Sequence, residues 1–254
     1  MLSPIEACLA LDWSRVDEYR AEFAATGACE IRDFIRPDDL PALIDDARRL
    51  ETRAHRSGGP GTAYLGLPDE SFPIDHPQQW LGPYALGAVA YDLFPAESPI
   101  RRVYESPGLT NFVAAVLGLD AVYPYADPLG ALNLAVMTDG DELQWHFDQT
   151  DFVVSIALQD ADEGGDFEVA PRIRTADDER YDDVARVLAG ERDRVVTLPM
   201  TPGTLLVFAG RYSLHRVSPI RGRTPRLVAL LGYDTQPGTM SSELLKLVRY
   251  GRAE

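Results

Sequence analysis

From about residue 121 the chain passes through eight short strand-like runs in succession, and that pattern constrains its fold more than any other feature. The runs are ALNLAVM, ELQWHFD, DFVVSIALQ, GGDFEVA, DRVVTLP, GTLLVFA, YSLHRVS and RLVALLGY. Turn signals such as TDGD, EGG and PGT separate them. So many short strands in a row predict a mainly β core, a closed or sandwiched antiparallel sheet of the jelly-roll type. An acidic insertion at 171–192 interrupts the series, and Tyr181, Val184 and Leu188 within it recur at helical spacing.

The first 120 residues have a different character. Val16, Tyr19 and Phe23 follow Asp12 at helical spacing, and Gly27 closes that helix. "CEIRDFI" then alternates as a strand does. Leu40, Leu43, Ile44, Ala47 and Leu50 make an amphipathic stripe behind Pro37, running to a basic end at Arg53, His55 and Arg56. A third helix is expected from about Pro107 to Leu117, between a Ser106 cap and a Gly118 stop. Residues 60–100, rich in Pro, Gly and aromatics, read as loops with short helical pieces. No repeat or linker divides the chain. The expectation is one domain, 1–254: a helical front end over 1–120, a core over 121–235 and a C-terminal segment over 236–254.

Charge narrows the partners. A net charge of −16 disfavours binding along a phosphate backbone or an anionic membrane. Yet no Asp or Glu occurs between Pro199 and Tyr233, where Arg211, Arg216, Arg221, Arg223 and Arg226 fall. That segment is either a site for a small anion or a basic surface loop. Two cysteines, Cys8 and Cys29, are too few for a disulfide framework. With no secretion-type leader and no long apolar span, the expected location is the cytoplasm.

"LQWHFDQTDF" sets His146 and Asp148 two positions apart. In a strand such residues share a face, with Phe147 opposite. An imidazole beside a carboxylate makes two-thirds of the facial triad that binds non-heme iron. Of the four histidines, His215 in "YSLHRVS" is the candidate for the third ligand, because His55 and His76 lie in a helix end and a loop. Arg226 begins the next strand, 11 residues beyond His215, where its planar fork suits a carboxylate.

"HFD", "GGDFE" with its following "RIR", and "LHRVSPIRGRTPR" resemble the Fe(II)/2-oxoglutarate-dependent dioxygenases, in particular the branch of free-amino-acid hydroxylases and halogenases. The likeness covers roughly residues 121–235. It implies a double-stranded β-helix, iron held by His146, Asp148 and His215, and the distal carboxylate of 2-oxoglutarate held by Arg226. Halogenases of that branch carry Gly or Ala where this chain has Asp148, leaving room for chloride. The carboxylate here implies hydroxylase-type chemistry with Fe(II), 2-oxoglutarate and O₂: oxidation of an unactivated C–H bond in a small free amino acid or similar metabolite, with release of succinate and CO₂. Desaturation, cyclisation and epimerisation are alternative outcomes of the same chemistry. A catalytically silent jelly-roll binding module is the alternative from another class.

Further candidates are weaker. Asn133 shares a strand face with Ala135 and Met137 and is either a cosubstrate contact or a satisfied structural amide. Gln144 is expected on the metal face and Trp145 in the packing layer. Glu168 and Arg172 are candidates for the amine and carboxylate of an amino-acid substrate, or a solvated strand end. Arg211 and Arg216 flank His215 or are surface charges. The acidic stretch 174–193 is either a lid or a solvated insertion.

Overall fold

A computed structural model describes residues 8–254. Helix α1 (Val16–Thr26) leads into β1 (Ala28–Ile31), and Gly27 makes the join, adopting a φ of 73° while its N–H donates to the Phe23 carbonyl. Helix α2 (Leu40–Leu50) follows, then β2 (His55–Thr62) and β3 (Leu81–Val89). Helices α3 (Pro99–Tyr104) and α4 (Pro107–Leu117) come next; the Ser106 hydroxyl caps α4 and Gly118 ends it, as the sequence indicates.

The core then runs β4 (Tyr123–Pro124), β5 (Leu132–Met137), β6 (Leu143–His146), β7 (Val153–Gln159) and β8 (Phe167–Ala170). Helix α5 (Tyr181–Leu188) precedes β9 (Val196–Leu198), β10 (Leu205–Phe208), β11 (Leu214–Val217), β12 (Arg226–Leu231), β13 (Tyr233–Asp234) and α6 (Glu243–Tyr250). All eight expected strands are present.

Eleven strands form one antiparallel sheet in the order β1-β10-β7-β12-β5-β3-β6-β11-β8-β9, with β2 paired to β3. The sheet wraps on itself as a jelly-roll, and strand alternation gives it two faces. Leu132, Leu134 and Val136 of β5 point outward, with Val154, Ile156, Leu205, Val207 and Leu227, into a core shared with α1, α2 and α4. Ala135 and Met137 point inward to meet Phe167, Val169, Leu206, Phe208 and Val217. The helices thus cover one outer face, and the interior is left to the site.

Two expectations need correction. Residues 55–62 and 81–89 are strands rather than loops, paired along their length from His55↔Ala88 to Thr62↔Leu81. Their Gly and Pro content masks the strand pattern, and β2 lies at the sheet's margin, where such residues are tolerated. For the same reason His55 and Arg56 are not a helix end: α2 stops at Leu50, a single 3₁₀ turn covers Glu51–Arg53, and β2 begins at His55.

Candidate metal centre

His146 ends β6 and faces His215 of β11, the two Cα atoms being direct partners across the antiparallel pair. An irregularity between His215 and Val217 breaks the register just there, a common device for aiming a side chain at a site. The imidazole rings lie 4.2 Å apart at 54°, and Phe208 and Phe167 wall in His215 at 4.8 and 5.6 Å. Asp148 sits beyond the end of β6, so strand alternation alone does not place it. Hydrogen bonds do: the Asp148 N–H donates to the Gly210 carbonyl at 3.1 Å and the Phe147 N–H to Ala63 at 2.8 Å. The Asp148 carboxylate then reaches both rings, with Oδ2 3.2 Å from His215 Nε2 and Oδ1 3.9 Å from His146 Nε2. One ligand atom from each residue falls within 4.8 Å of the others.

The tautomers follow from the hydrogen bonds. His146 Nδ1 lies 2.8 Å from the Gln144 carbonyl and His215 Nδ1 lies 2.9 Å from the Ser213 carbonyl. A carbonyl only accepts, so each Nδ1 carries the proton and each Nε2 presents a lone pair to the common point. Protonation agrees. Burial, then the neighbouring His215, pushes the His146 imidazolium down to about 4, so the ring is neutral at physiological pH. Burial raises Asp148, but the neighbouring His215 and His146 outweigh it and hold the carboxyl at about 2, so it is ionised. Two imidazoles presenting Nε2 and a carboxylate, oriented before any ion arrives, suit divalent iron.

Gly210 allows this arrangement. A Cβ there falls 2.5 Å from Asp148 Oδ2 and 3.0 Å from both Asp148 Cβ and Val153 Cγ2, so any side chain displaces the carboxylate. In sequence Gly210 reads as an ordinary turn residue after "LLVFA"; nothing local announces the close approach.

Arg226 opens β12 opposite Met137, on the interior face, and is buried. Among the described residues its one contact with another polar group is a weak one, from a terminal nitrogen to Met200 Sδ at 4.0 Å. Burial pushes its pKa down to about 10, against the attraction of Asp160 and Asp166, so it stays cationic. A buried guanidinium with no carboxylate in contact is a ready receptor for an anion. Asn133 is also on the interior face, and its Oδ1 is buried without a partner among the described residues. It pairs with Leu230, four residues along β12 from Arg226, a separation of about 13 Å along the strand.

The other sequence candidates do not converge on the triad. Glu168 pairs with Arg216, on the face of β8 and β11 opposite His215, and it is bound by Arg192 and Arg216. Those two arginines in turn lie over the ring of Trp145, which is in the outer packing layer as expected. Arg172 is exposed and donates to the Phe23 carbonyl at the end of α1. Gln144 spends its amide on the Gly61 and Thr62 carbonyls of β2. Arg211 pairs with Asp151 at the surface. The acidic insertion packs α5 on the outer face, with Val184 and Val187 against Phe147, Ile173 and Leu214, rather than over the interior.

Comparison with known proteins agrees with this fold. Residues 88–244 match the family described as Halogenase D. AviO1 from Streptomyces viridochromogenes Tue57 shares the fold at 21% identity and a TM-score of 0.61, over 89% of this chain and 97% of its own. A 2OG-Fe(II) oxygenase-family oxidoreductase from Burkholderia pseudomallei does so at 14% identity and 0.56, over 88% and 92%. The epimerase SnoN, solved with Fe³⁺, α-ketoglutarate and nogalamycin RO, matches at 15% identity and 0.56, over 88% and 84%. No curated protein sequence matches the chain.

Proposed function

Since the chain belongs to the Halogenase D family, among the Fe(II)/2-oxoglutarate oxygenases, we propose that it hydroxylates a small free amino acid or amino-acid-like metabolite. Iron, 2-oxoglutarate and dioxygen are its cofactors, and when bound they supply the oxidation of an unactivated C–H bond, with release of succinate and CO₂.

The chain's own residues do the positioning. His146 and His215 hold their Nε2 lone pairs fixed through Nδ1–H bonds to Gln144 and Ser213. Asp148 supplies the anionic ligand. Arg226 grips the far carboxylate of 2-oxoglutarate by its planar fork, in an interior lined by Met137, Ala157 and Phe208 that excludes water. Asn133 offers an unpartnered amide oxygen to whatever occupies the same interior.

Asp148 carries the choice of hydroxylation over halogenation. A facial triad leaves three positions on the metal, which a chelating cosubstrate and dioxygen fill between them. With the Asp148 carboxylate 3.2 Å from His215 Nε2, no position remains for a halide. A cytoplasmic setting is part of the same proposal, and no described helix is long and apolar enough to cross a membrane.

The test is turnover on a panel of free amino acids with iron, 2-oxoglutarate and chloride present, read as substrate-dependent succinate and product mass. A product heavier by one oxygen atom is expected. A chlorinated product contradicts the choice of hydroxylation, and one lighter by two hydrogens selects desaturation or cyclisation.

A further inference from the structure

Two buried amides on the interior face of the barrel are treated differently by the fold. Gln159 of β7 is met at both ends: its Oε1 accepts from Arg48 at 2.8 Å and its Nε2 donates to the Pro225 carbonyl at 2.7 Å. Asn133 of β5 is 7% exposed, yet its side chain makes no hydrogen bond among the described residues, and Oδ1 is wholly out of water. A buried acceptor left unmet is costly, so a strand that keeps one has an acceptor to offer.

Strand register places Asn133 at the triad's end of the interior. Leu230 pairs with Asn133 on one side and with Ser155 on the other, and Ser155 pairs with Leu206. These four residues make one row across β5, β12, β7 and β10. Ser155 is buried too, and its hydroxyl has no hydrogen-bond partner among the described residues. Two residues along β7, about 7 Å away, stands Val153, whose Cγ2 crowds the same point beside Gly210 as Asp148 Oδ2. Val153 pairs with Phe208, the ring 4.8 Å from His215. The row of Asn133 thus lies one interior step from the row that touches the triad. Arg226 lies two steps further, at the other end of β12.

Resting on the hydroxylase reading above, we infer that Asn133 binds the substrate rather than the cosubstrate, its Oδ1 accepting a hydrogen bond from the substrate's ammonium group. The two carboxylates and ketone of 2-oxoglutarate are all acceptors at neutral pH, so that molecule has no donor to give Oδ1. An amino acid has one in its ammonium group. A neutral amide oxygen suits an ammonium ion in a closed interior, since it adds no second buried charge beside the Asp148 carboxylate. The Ser155 hydroxyl gives the same row a second unmet polar group. The substrate's amine is thereby held on the β5–β12–β7 wall, facing the triad on β6 and β11.

The test uses Asn133→Leu and Asn133→Asp in the full chain. Leucine removes the acceptor at similar volume, whereas aspartate keeps an acceptor and removes the amide donor. Each protein is loaded anaerobically with Fe(II) and 2-oxoglutarate, and the absorption of that complex is followed. It is then titrated with a panel of free amino acids and with counterparts in which an amine is replaced by hydrogen. Wild type should bind an amino acid about 10- to 100-fold more tightly than its counterpart lacking the amine. Asn133→Leu should lose that preference, Asn133→Asp should keep or enlarge it, and Asn133→Leu should bind 2-oxoglutarate as wild type does. The melting temperature of Asn133→Leu should hold or rise, because an unmet buried acceptor is removed. Amino-acid affinity unchanged in Asn133→Leu overturns the inference alone, as does a loss in Asn133→Asp equal to that in Asn133→Leu. Weakened 2-oxoglutarate binding by Asn133→Leu returns the residue to the cosubstrate, and a wild-type complex that binds no amino acid also overturns the inference. Failure of wild type to form the Fe(II)–2-oxoglutarate complex overturns the hydroxylase reading and the inference with it.

Discussion

Asp148 and Gly210 are built for each other: the glycine carbonyl accepts the aspartate N–H at 3.1 Å, and the space a Cβ would need at 210 is taken by Asp148 Oδ2. The φ of Gly210 lies outside the left-handed region, so alanine is acceptable to the backbone and clashes only with the ligand. Gly210→Ala is therefore expected to lower Fe(II) affinity by about 10- to 100-fold, the range for residues that orient metal ligands. Anaerobic iron titration checks it; undiminished affinity would mean that the carboxylate has room the geometry denies it.

On the hydroxylase proposal, Asp148 also sets the reaction. Asp148→Gly opens a position on the metal and is expected to abolish hydroxylation while making the spectrum of the Fe(II)–2-oxoglutarate complex sensitive to chloride. Hydroxylation at an unchanged rate in this variant would remove Asp148 from the ligand set.

His146 gives the metal-free protein an acid sensitivity. Its folded pKa, about 4, lies below the ordinary value of 6.5 because of burial and then His215. The unfolded chain therefore takes up a proton that the folded chain refuses, and stability drops as pH falls from 6.5 towards about 4. The loss from this one group is roughly 3 kcal/mol. Denaturant melts of metal-free wild type and His146→Gln at pH 7 and pH 4.5 measure it, and the variant should lose markedly less stability than wild type. Equal losses would show that His146 is protonated in the folded protein as readily as in the unfolded one.

Arg226→Met separates function from stability. With Met200 Sδ as its one weak partner, the guanidinium adds little to the fold, and a buried unpaired charge is commonly replaced by an apolar side chain at no loss. The expected result is a KM for 2-oxoglutarate raised about 10- to 100-fold with the melting temperature held or raised. A large fall in melting temperature with normal KM would make Arg226 structural.

The extent to which the chain announces all this differs by element. The eight core strands are legible because one face of each is apolar and turns bound them. The triad is legible because His146 and His215 sit inside two of those strands, and Arg226 because it opens a third. The β2–β3 pair is not, since Gly58, Gly59, Pro60 and Gly61 carry no alternation and the strand is defined by pairing with β3 alone. Glu168 and Gln144 misled for a related reason: the sequence gives a side chain's face but not the partner that claims it, here Arg192 and Arg216 for one and the β2 backbone for the other. Gly210 leaves no local trace, because its role comes from elements distant in sequence closing on the same point.

The convergence of three side chains on one ion is most directly tested by anaerobic Fe(II) titration of wild type and His215→Ala, with 2-oxoglutarate present and absorption monitored. One tightly bound iron per wild-type chain, with a visible band that needs 2-oxoglutarate, is expected, and His215→Ala should lack both. Equal iron binding and the same band in the variant would contradict the assignment of the centre to His146, Asp148 and His215.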